Sequence, residues 1–193
     1  MAGRLPRLLL QLTIVLGLVA CSNAATSSFD PTGICGADGS APGAYPDLEA
    51  RVPITYRNDP PATLDSGRNC TAASLGLLAG LGFKEVRFAG GTWTFGGERA
   101  IVLAVFTAPG LAADQVADFY AASAEAASRT AIVADSQASI ADRPARRLDT
   151  KTGERLQTVV VWAAGEPDLV NVVVTNDLPE ARIAEAIAAF GAR

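Results

Sequence analysis

The sequence predicts an α+β fold in which a mostly antiparallel sheet carries about three packed helices. Residues 100–106 are apolar at every position, which is typical of a strand that is buried on both faces and central in its sheet. Two valine-rich segments, 156–163 and 169–175, flank a loop with Gly and Pro, which predicts a β-hairpin. Apolar residues at helical spacing in segment 112–128 predict a helix that lies on this sheet.

The composition excludes several classes of protein. With 193 residues, of which 49% are hydrophobic and 19% charged, the chain is long and apolar enough for one folded domain with appendages. Its formal net charge of −4 argues against a general nucleic-acid binder, which needs a basic excess. The absence of histidine excludes Ser-His-Asp catalysis, Cys-His catalysis and His-ligated zinc.

The first predicted element is an N-terminal leader over residues 1–20. Arg4 and Arg7 precede an apolar stretch at 8–20. As a helix this stretch would span about 20 Å, which is shorter than the ~30 Å hydrocarbon core of a membrane. We therefore expect a cleaved signal peptide rather than a helix that spans the membrane.

The leader closes with the tetrapeptide Leu18-Val19-Ala20-Cys21. A basic, apolar leader with this ending resembles the lipobox of bacterial lipoproteins. The resemblance implies that the leader is removed in front of Cys21 and that the sulfur of Cys21 is acylated. It also implies that the mature protein is lipid-anchored at the extracytoplasmic face of the cell membrane. In the alternative interpretation, Cys21 is an ordinary thiol behind a conventional cleavage site.

A flexible linker is predicted between the lipid anchor and the domain. Residues 21–44 are rich in Ser, Ala, Gly, Pro and Thr, and a single globular domain is predicted over residues 45–193. Cys35 and Cys70 are the two cysteines that remain once Cys21 is lipidated. An oxidising compartment favours a disulfide between them. A metal site is the alternative, although two thiols without histidine offer few ligands.

The domain is predicted to combine short strands with helices. Strands are predicted at residues 52–56, 84–89, 92–95, 99–107, 131–134 and 145–149, and in the hairpin. Helices are predicted at residues 71–81, at residues 112–128 and behind Asp177. Segments 104–120 and 173–187 both consist of a strand, a turn and a helix with an acidic start. A duplicated strand–helix unit and ordinary α/β patterning both explain this likeness.

Particular residues define the ends of the predicted helices. Thr71 is expected to cap the first helix, and Gly76 and Gly80 in that helix indicate a place where another backbone packs closely. Asp177 is expected to cap the last helix, with Glu180 completing a capping box.

Two groups of residues are candidate binding sites. Arg68 lies in a polar stretch in front of the first helix, where it is predicted either to bind an anion or to form part of a turn that positions Cys70. Trp93 and Phe95 share one strand face between two pairs of glycines. We expect Trp93 to be partly exposed and to bind a ligand or partner. Core packing or a hairpin tip is the alternative for both aromatic residues.

Three arginines form a basic cluster in this acidic protein. Arg143, Arg146 and Arg147 lie around one proline. They are predicted either to face anionic lipid headgroups or to form ion pairs on a solvated strand.

These observations favour a non-enzymatic binding or accessory protein. It would hold an apolar ligand or a protein partner of the cell envelope, with the membrane contacted through Cys21. The alternative is an enzyme that acts on cell-envelope material with carboxylates, Ser or Arg in place of His. The sequence contains no calcium-loop motif and no glycine-rich nucleotide motif, so neither a metal nor a cofactor is expected.

Overall fold

The structure, a computed structural model, describes residues 29–140 and 143–191. It shows a β-rich fold built on one sheet of eight antiparallel strands, with 41% strand and 22% helix. The predicted α+β arrangement with about three helices packed on the sheet is therefore wrong. The five helices of the described residues are mostly short, and the strands are longer than their apolar segments suggested.

The strands and helices have the following bounds. The strands are β1 (Gly39–Ala41), β2 (Thr63–Asn69), β3 (Val86–Thr94), β4 (Ala100–Thr107), β5 (Thr130–Ile140), β6 (Arg143–Thr152), β7 (Arg155–Ala163) and β8 (Leu169–Asn176). The helices are α1 (Pro46–Glu49), α2 (Ala72–Leu75), α3 (Leu77–Gly80), α4 (Ala113–Ala126) and α5 (Glu180–Ala189).

The sheet consists of two meanders joined at its centre. Its strand order is β1-β2-β3-β4-β8-β7-β6-β5. Helix α4 carries the chain from the central strand β4 to the far edge, and β5 to β8 then return until β8 pairs with β4. The central position of the apolar strand and the hairpin of β7 and β8 are confirmed.

Two hydrophobic clusters cover the two faces of the sheet. Successive residues of β4 point to opposite faces, so that Leu103 belongs to one cluster and Ala104 to the other. The face that carries Leu103, which we name the α5 face, also buries Leu48 of α1 and Ile183 of α5. The opposite face, the α4 face, buries Leu75, Leu78 and Val116 of α2, α3 and α4.

The placement of α4 and α5 bears on the duplicated unit. A two-fold axis that exchanged the adjacent antiparallel strands β4 and β8 would run perpendicular to the sheet. Such an axis would leave both following helices on the same face. Because α4 and α5 lie on opposite faces, the two strand–helix segments are not symmetry-related copies.

The predicted helix over residues 71–81 is broken in the middle. Thr71 caps α2 as expected, with its hydroxyl oxygen accepting from the backbone N–H of Ser74 at 3.2 Å. Gly76 then adopts a φ of +49°, which ends α2 and separates it from α3. Neither Gly76 nor Gly80 packs against another backbone, so that expectation is wrong.

Two further predictions around α5 are also wrong. Residues 52–56 form no strand but an irregular segment that buries Val52 and Tyr56 and leaves Ile54 exposed. The Tyr56 hydroxyl donates to the carbonyl oxygen of Arg182 at 3.1 Å. Asp177 does not cap α5, because its carboxylate accepts from the backbone N–H of Leu156 at 2.8 Å and α5 begins behind Pro179. The Tyr56 hydroxyl and the Asp177 carboxylate thus each join two segments that are far apart in the sequence.

The later part of the predicted linker is ordered. Residues 29–44 lie against the domain, and β1 within them pairs with β2. The leader, Cys21 and the remaining linker residues lie outside the described residues. Among the helices of the described part, none has the length and hydropathy needed to cross a membrane.

Candidate functional site

The predicted disulfide between Cys35 and Cys70 is confirmed, with their Cα atoms 5.9 Å apart. It joins the segment in front of β1 to the residue that follows β2, across a sequence separation of 35 residues. Because both sulfur atoms are used in this bond, neither remains as a metal ligand. The segment in front of β1 is therefore covalently attached to the end of β2.

Arg68 is 5% exposed and points into the segment in front of β1. Its guanidinium group donates to four carbonyl oxygens of that segment at 2.9–3.5 Å, namely those of Asp30, Pro31, Gly33 and Ile34. It also lies 5.3 Å from the centre of the Phe29 ring. Arg68 therefore has a structural role, because its donors hold the chain's own backbone rather than facing an external anion, but it lies in strand β2 and not in the turn that was the alternative.

Asp38 fixes the same segment to the start of α2. One carboxylate oxygen accepts from the backbone N–H of Cys70 at 2.6 Å, and the other from the Thr71 hydroxyl at 2.5 Å. Desolvation acts to raise the pKa of Asp38, but the hydrogen bonds from Thr71, Cys70 and Ser74 outweigh it and lower the pKa to about 2. The carboxylate therefore stays ionised while this segment is in place.

Trp93 is 4% exposed, so the expectation of partial exposure is wrong. The neighbouring glycine explains the difference, because a Cβ at Gly91 would lie 2.9 Å from the indole ring of Trp93. The space beside the aromatic residue is thus filled by its own ring. The indole N–H donates to the carbonyl oxygen of Asp59 at 2.9 Å, which satisfies its polar atom.

Phe95 also packs inward, as a half-buried neighbour of the same aromatic cluster. Tyr56 contacts both Trp93 and Phe95 edge to face, with ring centroids 6.0 and 6.1 Å apart. Gly96 and Gly97, with positive φ values, form the turn in front of β4. The structure therefore brings the two predicted aromatic residues together in the core and places Arg68 elsewhere, so the three do not form one site.

Two arginines of the basic cluster, Arg146 and Arg147, form ion pairs. Arg146 contacts Asp135 of β5 and Asp118 of α4. Arg147 contacts Asp149 on its own strand and Glu180 of α5. These pairs match the alternative of a solvated, paired strand rather than a surface that faces lipid.

A groove that the sequence did not indicate opens on the α5 face, with a volume of about 370 Å³. Its floor is a row of residues in register across β3, β4 and β8, namely Arg87, Thr107 and Leu169. One wall consists of α1 and its preceding residue Tyr45, and the other is the loop between β7 and β8. The row exists only through strand register, so no motif along the chain could have revealed it.

Two arginines give the groove a polar rim. Arg51, two residues behind the end of α1, forms an ion pair with Glu166 of the β7–β8 loop, and both side chains are about half exposed. The guanidinium of Arg87 lies 4.8 Å from the centre of the Tyr45 ring and donates to Glu85 at 2.6 Å. Each arginine keeps exposed N–H groups in addition to these bonds, and exposed guanidinium groups bind carboxylates and phosphates.

The described residues offer little for catalysis. Ser66 donates to the carboxylate of Glu49 at 2.8 Å, which is the geometry of an activated hydroxyl, but Ser66 is 0% exposed and cannot reach a substrate. Its oxygen also accepts from the backbone N–H of Tyr45 at 2.7 Å. No group of three metal-ligating side chains occurs within the part of the chain that the structure describes.

The groove is thus a shallow cleft with an apolar floor residue, an aromatic wall and two cationic groups. This arrangement suits a ligand that combines an apolar body with an anionic group, since binding sites pair a mostly apolar lining with few convergent polar groups. No protein-family model matches the sequence, and no curated protein matches it with significance.

Proposed function

We propose that the chain is a lipid-anchored protein of the extracytoplasmic face of the cell membrane, of a non-enzymatic binding or accessory type. The Cys35–Cys70 disulfide carries this proposal, because such bonds form and persist outside the reducing cytoplasm. The predicted leader in front of Cys21 supports the same location outside the cytoplasm.

The short reach of the anchor supports a position close to the membrane. Residues 21–28 separate Cys21 from the first described residue, Phe29, and fully extended they span at most about 28 Å. A domain on such a tether remains beside the lipid surface. It would meet ligands or protein partners that are themselves part of the cell envelope.

The groove between α1 and the β7–β8 loop is the proposed ligand site. Leu169 and Tyr45 offer apolar and aromatic contact, and Arg51 and Arg87 offer guanidinium groups to an anion. The ion pair between Arg51 and Glu166 crosses the groove, so an anionic ligand would compete with Glu166 for Arg51. We therefore propose an amphipathic ligand with a carboxylate or phosphate group.

Lipidation is tested on the full chain in its own cells. Substitution Cys21→Ser, or inhibition of lipoprotein signal peptidase with globomycin, should release the protein from membranes or block its maturation. Mass spectrometry of the mature protein should show an acylated N-terminal cysteine. Unchanged mass and membrane partitioning in both experiments would contradict the anchor.

The ligand site is tested by extraction and mass spectrometry of molecules that co-purify with the protein. The wild-type protein should retain an anionic amphipathic molecule that the double variant Arg51→Gln, Arg87→Gln loses. The matched control is Arg155→Gln, which removes another half-exposed, ion-paired arginine far from the groove. Equal retention by all three proteins, or no retained molecule in the wild type, would overturn the site.

A further inference from the structure

Strand β5 forms an exposed edge of the sheet. It is 11 residues long and pairs with β6 on one side only. Among the described residues, no strand or helix pairs with its outer side, and the five successive residues 133–137 are all exposed. Half of the backbone N–H and C=O groups of such a strand point outward without a partner in the sheet.

The usual protections of an edge are weak in β5. Edge strands of natural proteins avoid unwanted pairing because they carry lysine, proline or inward-pointing charges, or because they are very short. Segment 130–140 contains neither lysine nor proline. Its one charged residue, Asp135, is bound by the guanidinium of Arg146 at 2.6 and 2.7 Å. A bulge at Val133 interrupts the strand but leaves the following segment regular.

We propose that segment 134–138 pairs antiparallel with the same segment of a second copy of this chain. The segment reads Ala-Asp-Ser-Gln-Ala and is nearly the same in both directions around Ser136. A two-fold axis at Ser136 sets Ala134 opposite Ala138 and Asp135 opposite Gln137 of the other copy. An interface between identical surfaces needs this kind of self-complementarity.

The side chains of this register are compatible with close pairing. Alanine and serine are small enough for the strands to approach, and the Gln137 amide can donate to the opposite carboxylate of Asp135. Arg146 already compensates the negative charge of Asp135, so the two-fold axis brings no uncompensated charges together. Every neighbouring pair in the eight-stranded sheet is antiparallel, and the new pair continues that order.

A second copy is favoured over an unrelated extended peptide for one reason. A peptide of different sequence would gain nothing from the near-palindrome of segment 134–138. In a homodimer, by contrast, the near-palindrome sets compatible side chains opposite each other at all five positions. The ladder is short, which places the dimer among small, weak interfaces. Its population therefore depends on the concentration of the protein.

Disulfide trapping of the full exported protein tests the register. Residues opposite each other in an antiparallel pair have Cα atoms about 4.5–5.5 Å apart, which a disulfide can bridge. Substitution Ser136→Cys should therefore give a covalent dimer on a non-reducing gel. Ala131→Cys, also exposed and on β5, is the matched control, because the two copies of residue 131 would lie about 30 Å apart.

Each result of the trapping experiment decides for or against the proposal. A dimer with Ser136→Cys and little with Ala131→Cys supports it. Equal trapping of both variants, no trapping, or adducts with other proteins would overturn it.

A second measurement avoids added cysteines. Molar mass in mild detergent, determined over a concentration series, should show a dimer for the wild type and for Ala131→Lys. Ser136→Lys sets two lysines opposite each other and should weaken the dimer about fivefold. A wild-type mass that stays monomeric throughout the series would contradict the dimer.

Discussion

The two edge strands of the sheet, β1 and β5, differ in length and in the contacts that hold them. At β1, the edge is three residues long, and the segment in front of it is fixed to β2 and to the start of α2 by a disulfide, by the buried guanidinium of Arg68 and by the carboxylate of Asp38. At β5, the edge is 11 residues long and its outer side is open within the described residues. One protein thus anchors a short edge strand with covalent and polar contacts and leaves a long edge strand available for pairing.

The difference shows that edge protection is local and is not a property of the sheet as a whole. The cysteines and Arg68 act on the segment that connects the domain to its N-terminal side. Such a segment would otherwise fray, because chain ends are poorly ordered unless they are tied down. A strand within a long hairpin, such as β5, is already held on one side by β6.

The largest expected effect is that of removing the disulfide. Cys35→Ala with Cys70→Ala opens a loop of 35 residues, and the chain-entropy model predicts a loss of about 4 kcal/mol in the free energy of unfolding. Urea denaturation should show this loss, and reduction of the wild-type protein should reproduce it. Amide exchange should rise in β1 and stay unchanged in β5. A loss below about 1 kcal/mol would show that the other contacts suffice to close the β1 edge.

Removal of the Arg68 guanidinium should have the next largest effect. Arg68→Met keeps apolar volume but leaves four carbonyl oxygens without their donor, which should cost about 3 kcal/mol in the free energy of unfolding. Arg155→Met, at an exposed position, should change stability by less than about 0.5 kcal/mol. Equal effects of the two variants would contradict the structural role of Arg68.

A methyl group at Gly67 should push β1 away from β2. A Cβ at this position would lie 2.1 Å from the carbonyl oxygen of Gly39, so Gly67→Ala should destabilise the protein by about 2 kcal/mol. Gly90→Ala on β3 is the control, since its nearest contact would be an ordinary 3.5 Å. Thermal melts of both variants decide the matter. A tolerated Gly67→Ala would mean that β1 is less closely held than its hydrogen bonds indicate.

The contribution of Asp38 should depend on pH. Asp38→Asn should lose about 1 kcal/mol in the free energy of unfolding at pH 7, a modest value because the carboxylate is partly exposed. The folded pKa is lowered, so this stabilisation is present above pH 3.8 and disappears as the pH falls towards about 2. Urea denaturation at several pH values should show the wild type and variant converging. A difference that is independent of pH would exclude the ionised carboxylate as its source.

The smallest effect is expected at the open edge. Ser136→Lys should change the stability of the dilute protein by less than about 0.5 kcal/mol, because the side chain is exposed and bonds to no other residue of the described part. Differential scanning calorimetry at low and high protein concentration is the measurement. A loss of more than 1 kcal/mol at low concentration would show that the β5 edge is packed within one molecule.

Sequence patterns predicted the parts of the fold whose apolar residues are continuous or periodic. The central strand β4, the hairpin of β7 and β8 and helix α4 were found in this way, whereas the disulfide followed from the number of cysteines and an oxidising compartment. Strand β5 was predicted at residues 131–134 alone, because its later residues are small and polar. Such residues give no alternation of apolar and polar side chains, and pairing with β6 decides their conformation instead.

The functional predictions failed where the space around a residue depends on distant segments. The glycines beside Trp93 were interpreted as room for a ligand, but that room is occupied by the indole ring itself. The proposed groove depends on the register of three strands and on the contact of Arg51 with Glu166, 115 residues apart. Neither relation is visible in a linear sequence.

The position of the disulfide also has a mechanical consequence. A force that pulls on the chain from its N-terminal side can straighten residues 29–34, but at Cys35 it passes through the sulfur–sulfur bond to Cys70. Strands β1 and β2 and the connection between them, which contains α1, lie within the closed loop, so the covalent path of the force bypasses them. Beyond Cys70, the chain leads through α2 and α3 to β3, which is three times as long as β1. A pull on the N-terminal side of the domain therefore does not peel the sheet apart from its shortest strand.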